Sequence, residues 1–376
     1  MIRAGESVLR LRRGALAAAF AGSALTAAAY WLDRPSIFQS WLFVWLFFLG
    51  IALGSMVDIM IHELTGGAWG FAVRPPAEAA MATLPVLALL GLPLALGLGD
   101  LYPWVDRGAG PRRWYLNIAA FEIRAVVYFA LWIAVSSALL HYWRAGATNA
   151  ESPPRRALRR LCVVGLLIYA VTASLAAVDW IMSLSANWYS TGFGLLIMVG
   201  QAMSGFAFTV AFAVFAGYLR DGSPNAARNA QDLGNLLLTL VMLWAYLAFT
   251  QFLIIWAEDL PPDIGWYILR AEPRWRALAI VVLALQFVLP VIAMLFRAFK
   301  RSPRRLAGLC AVVLVAHWGE LLWLVAPAAR PEGLALRWTD LAATLAIGGF
   351  WLARLSAILA QPRLAPSPDI PVARHG

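Results

Sequence analysis

Residues 231–267, QDLGNLLLTLVMLWAYLAFTQFLIIWAEDLPPDIGWY, decide what kind of molecule this is. The stretch opens with a helix-start signal, continues as an apolar run long enough to cross a bilayer, and ends in an acidic loop. Successive helix residues turn by about 100°, and on that wheel Asn235, Thr239, Tyr246 and Thr250 fall within about 60° of Asp232. Hydrocarbon offers no partner to such a row. The expectation is therefore that this helix turns its polar face inward, to other helices or to a wet cavity.

The rest of the chain has the same character. Its 376 residues are 62% apolar and 13% charged, and the mean hydropathy is +0.72. Soluble domains are nearer to half apolar and about a quarter charged. Apolar runs of spanning length fall at 14–32, 39–62, 77–98, 116–142, 158–182, 191–218, 231–256, 276–298, 305–327 and 339–360. This predicts an all-α membrane protein of ten transmembrane helices, one polytopic domain over 1–360, and a disordered, Pro-rich cytoplasmic tail over 361–376. Arg3, Arg10, Arg12 and Arg13 ahead of the first run, with Ala27–Ala29 near its end, resemble a signal sequence; an uncleaved signal-anchor is the favoured reading.

The net charge of +10 comes from twenty-nine Arg and a single Lys. In a membrane protein such charge speaks of topology and anionic headgroups before nucleic acid. With ten spans both termini share a side, and nineteen basic residues fall on the segments of that side against nine on the other. The expected topology is N-in and C-in.

A charge at the bilayer centre costs about 2.5–3.5 kcal/mol even on the lenient scale, so charges kept there need pairing, water or a ligand. Ser55, Asp58 and His62 share a face of the second span, with Glu63 following, and Asp58 is a candidate for proton entry. In the fourth span Asn117, Arg124 and Tyr128 align. In the fifth, Tyr169, Thr172, Asp179 and Ser183 make one stripe, and Asp179 is a partner for Arg124, a proton exit or a contact for a quinol head. His317 and Glu320, three apart in the ninth span, are a hydrogen-bonded pair or a proton relay. Asp232 and Tyr246 complete the candidate set; for Asp232 the plainer role is an acid favoured by the dipole of the first helical turn.

Redox chemistry has little to stand on. The two cysteines, Cys162 and Cys310, form no CxxCH motif and no iron–sulfur ligand set. The four histidines are His62, His141, His317 and His375, and His62 with His317 make a poor opposed pair for haem. No phosphate-binding glycine loop, Cys/His metal set or nucleophile elbow is present. The expectation is no cofactor held covalently or by metal ligands.

Several blocks together resemble one family: the 231–267 stretch, VDWIMSLSANWYSTGFG at 178–194, HWGELLWLVAP at 317–327, ELTGGAWG at 63–70, RPPAEAA at 74–80 and YLNIAAFEIRAVVYF at 115–129. They are similar to F subunits of bacterial alternative complex III, a quinol:cytochrome c oxidoreductase, in the NrfD-like family akin to the polysulfide reductase membrane subunit. The resemblance implies two four-helix bundles plus two extra helices in a bacterial inner membrane. It implies a subunit without redox centres, structural and either proton-conducting or in contact with quinone. Implied partners are a homologous C-type membrane subunit and iron–sulfur and multihaem cytochrome subunits. Arg124, Asp179, Asp232, His317 and Glu320 sit in matching motifs. Gln231, Asn235, Glu63 and Asn187 stand where the family's motifs carry His, Lys, His and His, and Glu320 stands for Asp. Gln and Asn hold hydrogen bonds but take no proton at neutral pH. Two other classes stay open: a scaffold of a terminal oxidase, with its polar rows as glue between helices, and a secondary transporter with a midplane substrate site.

Overall fold

The computed structural model describes residues 2–361 except 68, 109, 111–112, 147–152, 186–187, 220–224 and 331–332. The tail expected beyond Gln361 lies outside the described residues. Among the described residues every regular element is a helix. The helices are α1 (Ile2–Leu32), α2 (Arg34–Thr65), α3 (Trp69–Leu101, in several pieces), α4 (Ile118–Gly146), α5 (Pro153–Trp180), α6 (Phe193–Phe215), α7 (Ala226–Glu258), α8 (Pro261–Arg270), α9 (Pro273–Leu295), α10 (Pro303–Val325) and α11 (Trp338–Leu359). All but the ten-residue α8 are long and apolar enough to cross a membrane, and they overlap the ten expected spans. The protein is an all-α, multi-pass integral membrane protein.

Proline and left-handed residues set the boundaries. Pro stands in the first turn of α2, α8, α9 and α10, where its missing N–H costs nothing. α2 stops at Gly66, whose φ of 76° suits glycine best. α7 stops at Asp259 with φ 48°, and Pro261 and Pro262 follow, which cannot continue its hydrogen-bond ladder.

Two helices hold the rest together. The most apolar window of α2 is 100% buried, and its sequence, WLFVWLFFLGIALG, is apolar on every side, as a fully enclosed helix requires. α2 crosses α6 at backbone contact: a Cβ on Gly54 would strike the Gln201 carbonyl, and one on Gly205 would strike the backbone of Ser55. Small residues let helices approach this closely where lipid gives no hydrophobic drive. Around this crossing, α2 to α5 form one four-helix group, and α6, α7, α9 and α10 form a second. α1 and α11 are a pair laid against α2, packed through Gly22 on Ala346 and Gly349 on Ala19.

The inward turn expected for α7 is corrected here. Its most apolar window is only 22% buried, and Asn235, Thr239 and Tyr246 lie on the exposed face, with Asp232 and Thr250 half-buried at its margin. Leu233, Gly234, Leu237, Val241 and Trp244 turn inward instead. The physical reason is local satisfaction. Thr239 Oγ1 donates to the Asn235 carbonyl at 3.0 Å, and Lys300 Nζ donates to Asn235 Oδ1 at 2.9 Å. With those polar atoms served, interlocking apolar residues set the orientation.

Candidate functional site

The expected partnership of Arg124 and Asp179 is present. α4 brings Arg124 and Tyr128 to α5, where Asp179 is 1% exposed. The guanidinium meets the carboxylate at two points, Nε to Oδ2 and Nη2 to Oδ1, each 2.8 Å. The Tyr128 hydroxyl donates to Oδ2 at 2.8 Å. Arg124 Nη1 donates to the Tyr115 carbonyl at 2.8 Å, and the guanidinium lies 3.8 Å from the centre of the Tyr115 ring. Burial, with the Asp179 charge beside it, pushes the Tyr115 phenol up to about 12. Asn117, aligned with this pair in sequence, accepts from the backbone of Ala120 and steadies the start of α4. Arg124, Asp179 and Tyr128 are answered from within the chain, while the buried Tyr115 hydroxyl has no hydrogen-bond partner among the described residues; the cluster fixes α4 to α5 as a bidentate clamp.

A second cluster centres on Glu320 of α10. His317 Nδ1 lies 2.8 Å from Oε2, Gln286 Nε2 donates to Oε2 at 2.7 Å, and Trp244 Nε1 donates to Oε1 at 2.7 Å. Three helices converge on one carboxylate. Gln286 reaches it from a π turn in α9, Ala284–Val288, a local underwinding that recurs at functional sites. Toward an ionised Glu320, His317 Nδ1 is the donor of the pair. Beside the pair is a cavity with room for about one water, lined by Leu46, Gly200, Gln201, His317, Glu320 and Leu321.

Further polar groups from three helices lie beyond that cavity. Gln201 of α6 lines the cavity, and its Oε1 accepts from the Tyr169 hydroxyl of α5 at 2.7 Å. Tyr169 stands within electrostatic reach of Asp58 on α2. Asp58 is buried, and its Oδ2 has no hydrogen-bond partner among the described residues. An acid in this position can carry a proton or hold a water, and it makes no salt bridge among the described residues. The Ser55–Asp58–His62 stripe does not act as a chain: Ser55 donates to its own helix at the Ile51 carbonyl, and His62 Nε2 is 3.0 Å from the Gly67 carbonyl. Glu63 accepts from Trp143 Nε1 at 3.1 Å and lies 3.4 Å from Arg74. Asp232 and Tyr246 sit away from both clusters, on the margin and the face of the outward row.

Sequence reasoning missed several interior residues. Arg330 and Asp340, 1% and 2% exposed, form a double-contact pair that also holds Ser40 and Gln39 of α2. Asp340 three residues past the α11 cap was the available signal. Arg270, 3% exposed, has no carboxylate partner among the described residues. It donates to the carbonyls of Trp266, Trp323 and Leu324, so its cation sits on the C-terminal end of α10, where the helix dipole favours it. Burial pulls Arg270 below the ordinary guanidinium value, yet it stays charged at any working pH. Gln201 and Gln286 gain their roles only through neighbours from other helices. The chain matches no protein-family model and no curated protein.

Proposed function

We propose that this membrane protein is a subunit, without redox centres of its own, of a quinol:cytochrome c oxidoreductase of the alternative complex III type in a bacterial inner membrane, with N-in and C-in topology. The observation that carries the subunit reading is the outward row of α7. Asn235, Thr239 and Tyr246 lie exposed on a spanning helix, on a face that, among the described residues, only the Lys300 side chain reaches. Such a face is served best by a protein partner that brings polar groups of its own. The sequence blocks named above make a homologous C-type membrane subunit the proposed occupant, with iron–sulfur and multihaem cytochrome subunits beyond it.

Within the complex we assign the chain a proton-handling role along Glu320, His317, Gln201, Tyr169 and Asp58. The cavity on this track has room for about one water, which favours protons over a quinone head or a transported solute. Asp179 and Arg124 are placed as the clamp of the first bundle, because protein groups already occupy both.

The test is purification of the tagged chain in mild detergent, with mass spectrometry of what accompanies it and assays for haem and quinone. A multihaem cytochrome, an iron–sulfur subunit and a second NrfD-like chain are the expected companions. A terminal oxidase alone would favour the scaffold reading. A chain purified without redox partners would overturn the assignment and direct work to solute transport.

A further inference from the structure

The connection between α9 and α10 is a basic elbow. A four-residue helix, Arg297–Lys300, joins the two spans, and Arg297, Lys300, Arg301, Arg304 and Arg305 fall within nine positions. Residues 289–319 contain no acidic side chain. Arg297, Arg301, Arg304 and Arg305 are exposed, while Lys300 is tied to Asn235 of α7. At the opposite end of the bundle Arg34, Arg124 and Arg330 each close on a carboxylate, and Arg270 closes on three carbonyls. The elbow therefore differs in kind from those sites: among the described residues its Arg297, Arg301 and Arg305 meet no carboxylate. The nearest acid on the adjoining helix α7 is the half-buried Asp232.

An apolar collar adjoins the cations. Ile292, Leu295 and Phe296, at the end of α9, are 52%, 72% and 63% exposed. They lie on the hydrocarbon side of the elbow, because α9 ends as a spanning helix at Leu295. Exposed apolar side chains leading directly into exposed guanidinium groups match a molecule with acyl chains and a charged head. Guanidinium forks grip phosphate at two points, which an ammonium cannot do.

We propose that this elbow binds an anionic phospholipid, its phosphate held by Arg297, Arg301 and Arg305 and its acyl chains lying along Ile292, Leu295 and Phe296. The site anchors the α9–α10 corner of the second bundle, the corner that also meets α7 through Lys300.

The test uses the full chain in nanodiscs of mixed phosphatidylglycerol and phosphatidylcholine, with retained lipid counted by native mass spectrometry. Wild-type protein should enrich phosphatidylglycerol over its share of the bilayer. The triple variant Arg297→Gln/Arg301→Gln/Arg305→Gln should lose that enrichment by roughly tenfold or more. The control Arg274→Gln/Arg276→Gln, exposed arginines at the opposite end, should keep it. Should the triple variant fail to fold, Arg301→Gln beside Arg301→Lys carries the same comparison. Equal retention of both lipids by the wild type, or equal loss in the control, overturns the site. Inorganic phosphate at matched ionic strength should not displace the lipid; full displacement would mark a site for free phosphate and overturn the lipid assignment.

Discussion

α2 and α7 are nearly equal in length, 32 and 33 residues, and their most apolar windows have mean hydropathies of 2.1 and 2.0. One is the buried axis of the molecule and the other is part of its rim. In water such similarity would predict similar burial. In a bilayer apolar character does not sort helices, because lipid is as good a neighbour as leucine. What separates the two is surface relief. α2 carries Gly50 and Gly54 one turn apart, a groove into which Gln201 of α6 fits. α7 has a single buried glycine, Gly234, and it receives only the flexible side chains of Lys300 and Met294. Close backbone approach, and not hydropathy, chose the centre.

The contrast can be broken most forcefully through the charges fixed on the interior side. Arg124→Met leaves Asp179 buried without its counter-ion and should cost about 3–5 kcal/mol of stability, whereas Arg124→Met with Asp179→Leu should recover much of it. Thermal labelling of the two buried thiols, Cys162 and Cys310, reads unfolding directly in detergent. No penalty in the single variant would mean that the clamp is not what joins α4 to α5.

Next in size is the helix crossing itself. Gly54→Ala or Gly205→Ala drives a methyl group into backbone of the facing helix and should cost about 1–3 kcal/mol. Gly234→Ala in α7 meets flexible Lys300 and Met294 side chains at 3.3 Å and should cost clearly less in the same assay. Equal melting shifts for the three would refute the idea that backbone contact distinguishes the axis from the rim.

Glu320→Gln tests the place where rim and interior meet, since Trp244 of α7 donates to that carboxylate. The amide keeps one acceptor but faces donors from His317, Gln286 and Trp244, and the loss should be about 1–3 kcal/mol. On the proposed function, the same variant in the purified complex should slow proton-coupled turnover while leaving subunit composition unchanged. Unaltered turnover with altered melting would reduce Glu320 to a fastening between helices.

What the sequence made legible follows the same physics. All ten spans could be located because spanning length and composition are local properties, and the Arg124–Asp179 pair could be anticipated because a buried cation must find an anion. The face that α7 turns inward was not legible. Periodicity showed that Asn235, Thr239 and Tyr246 share a side, but Lys300, sixty-five residues away, satisfies Asn235 and removes the need to bury it. Gln286 was hidden for another reason: its inward aim depends on a π turn, and an apolar run carries no mark of that. The Gly50–Gly54 spacing is written in the sequence, but small residues one turn apart mark a close crossing only once the facing backbone of α6 is placed.

The smallest expected effect is also the most discriminating. Thr239→Val with Tyr246→Phe removes hydroxyl groups from the outward row without changing its shape. In the isolated chain Thr239 bonds only to its own helix and Tyr246 is 64% exposed, so stability should move by no more than about 0.5 kcal/mol. On the proposed subunit reading, the same double variant in membranes should release the neighbouring membrane subunit during detergent extraction, because that reading places both hydroxyls at the shared interface. A stability loss in the isolated chain as large as that of Gly54→Ala would mean that the row is enclosed by this chain after all. Unchanged stability with unchanged co-purification would remove the row from any interface and with it the observation on which the proposed subunit role rests.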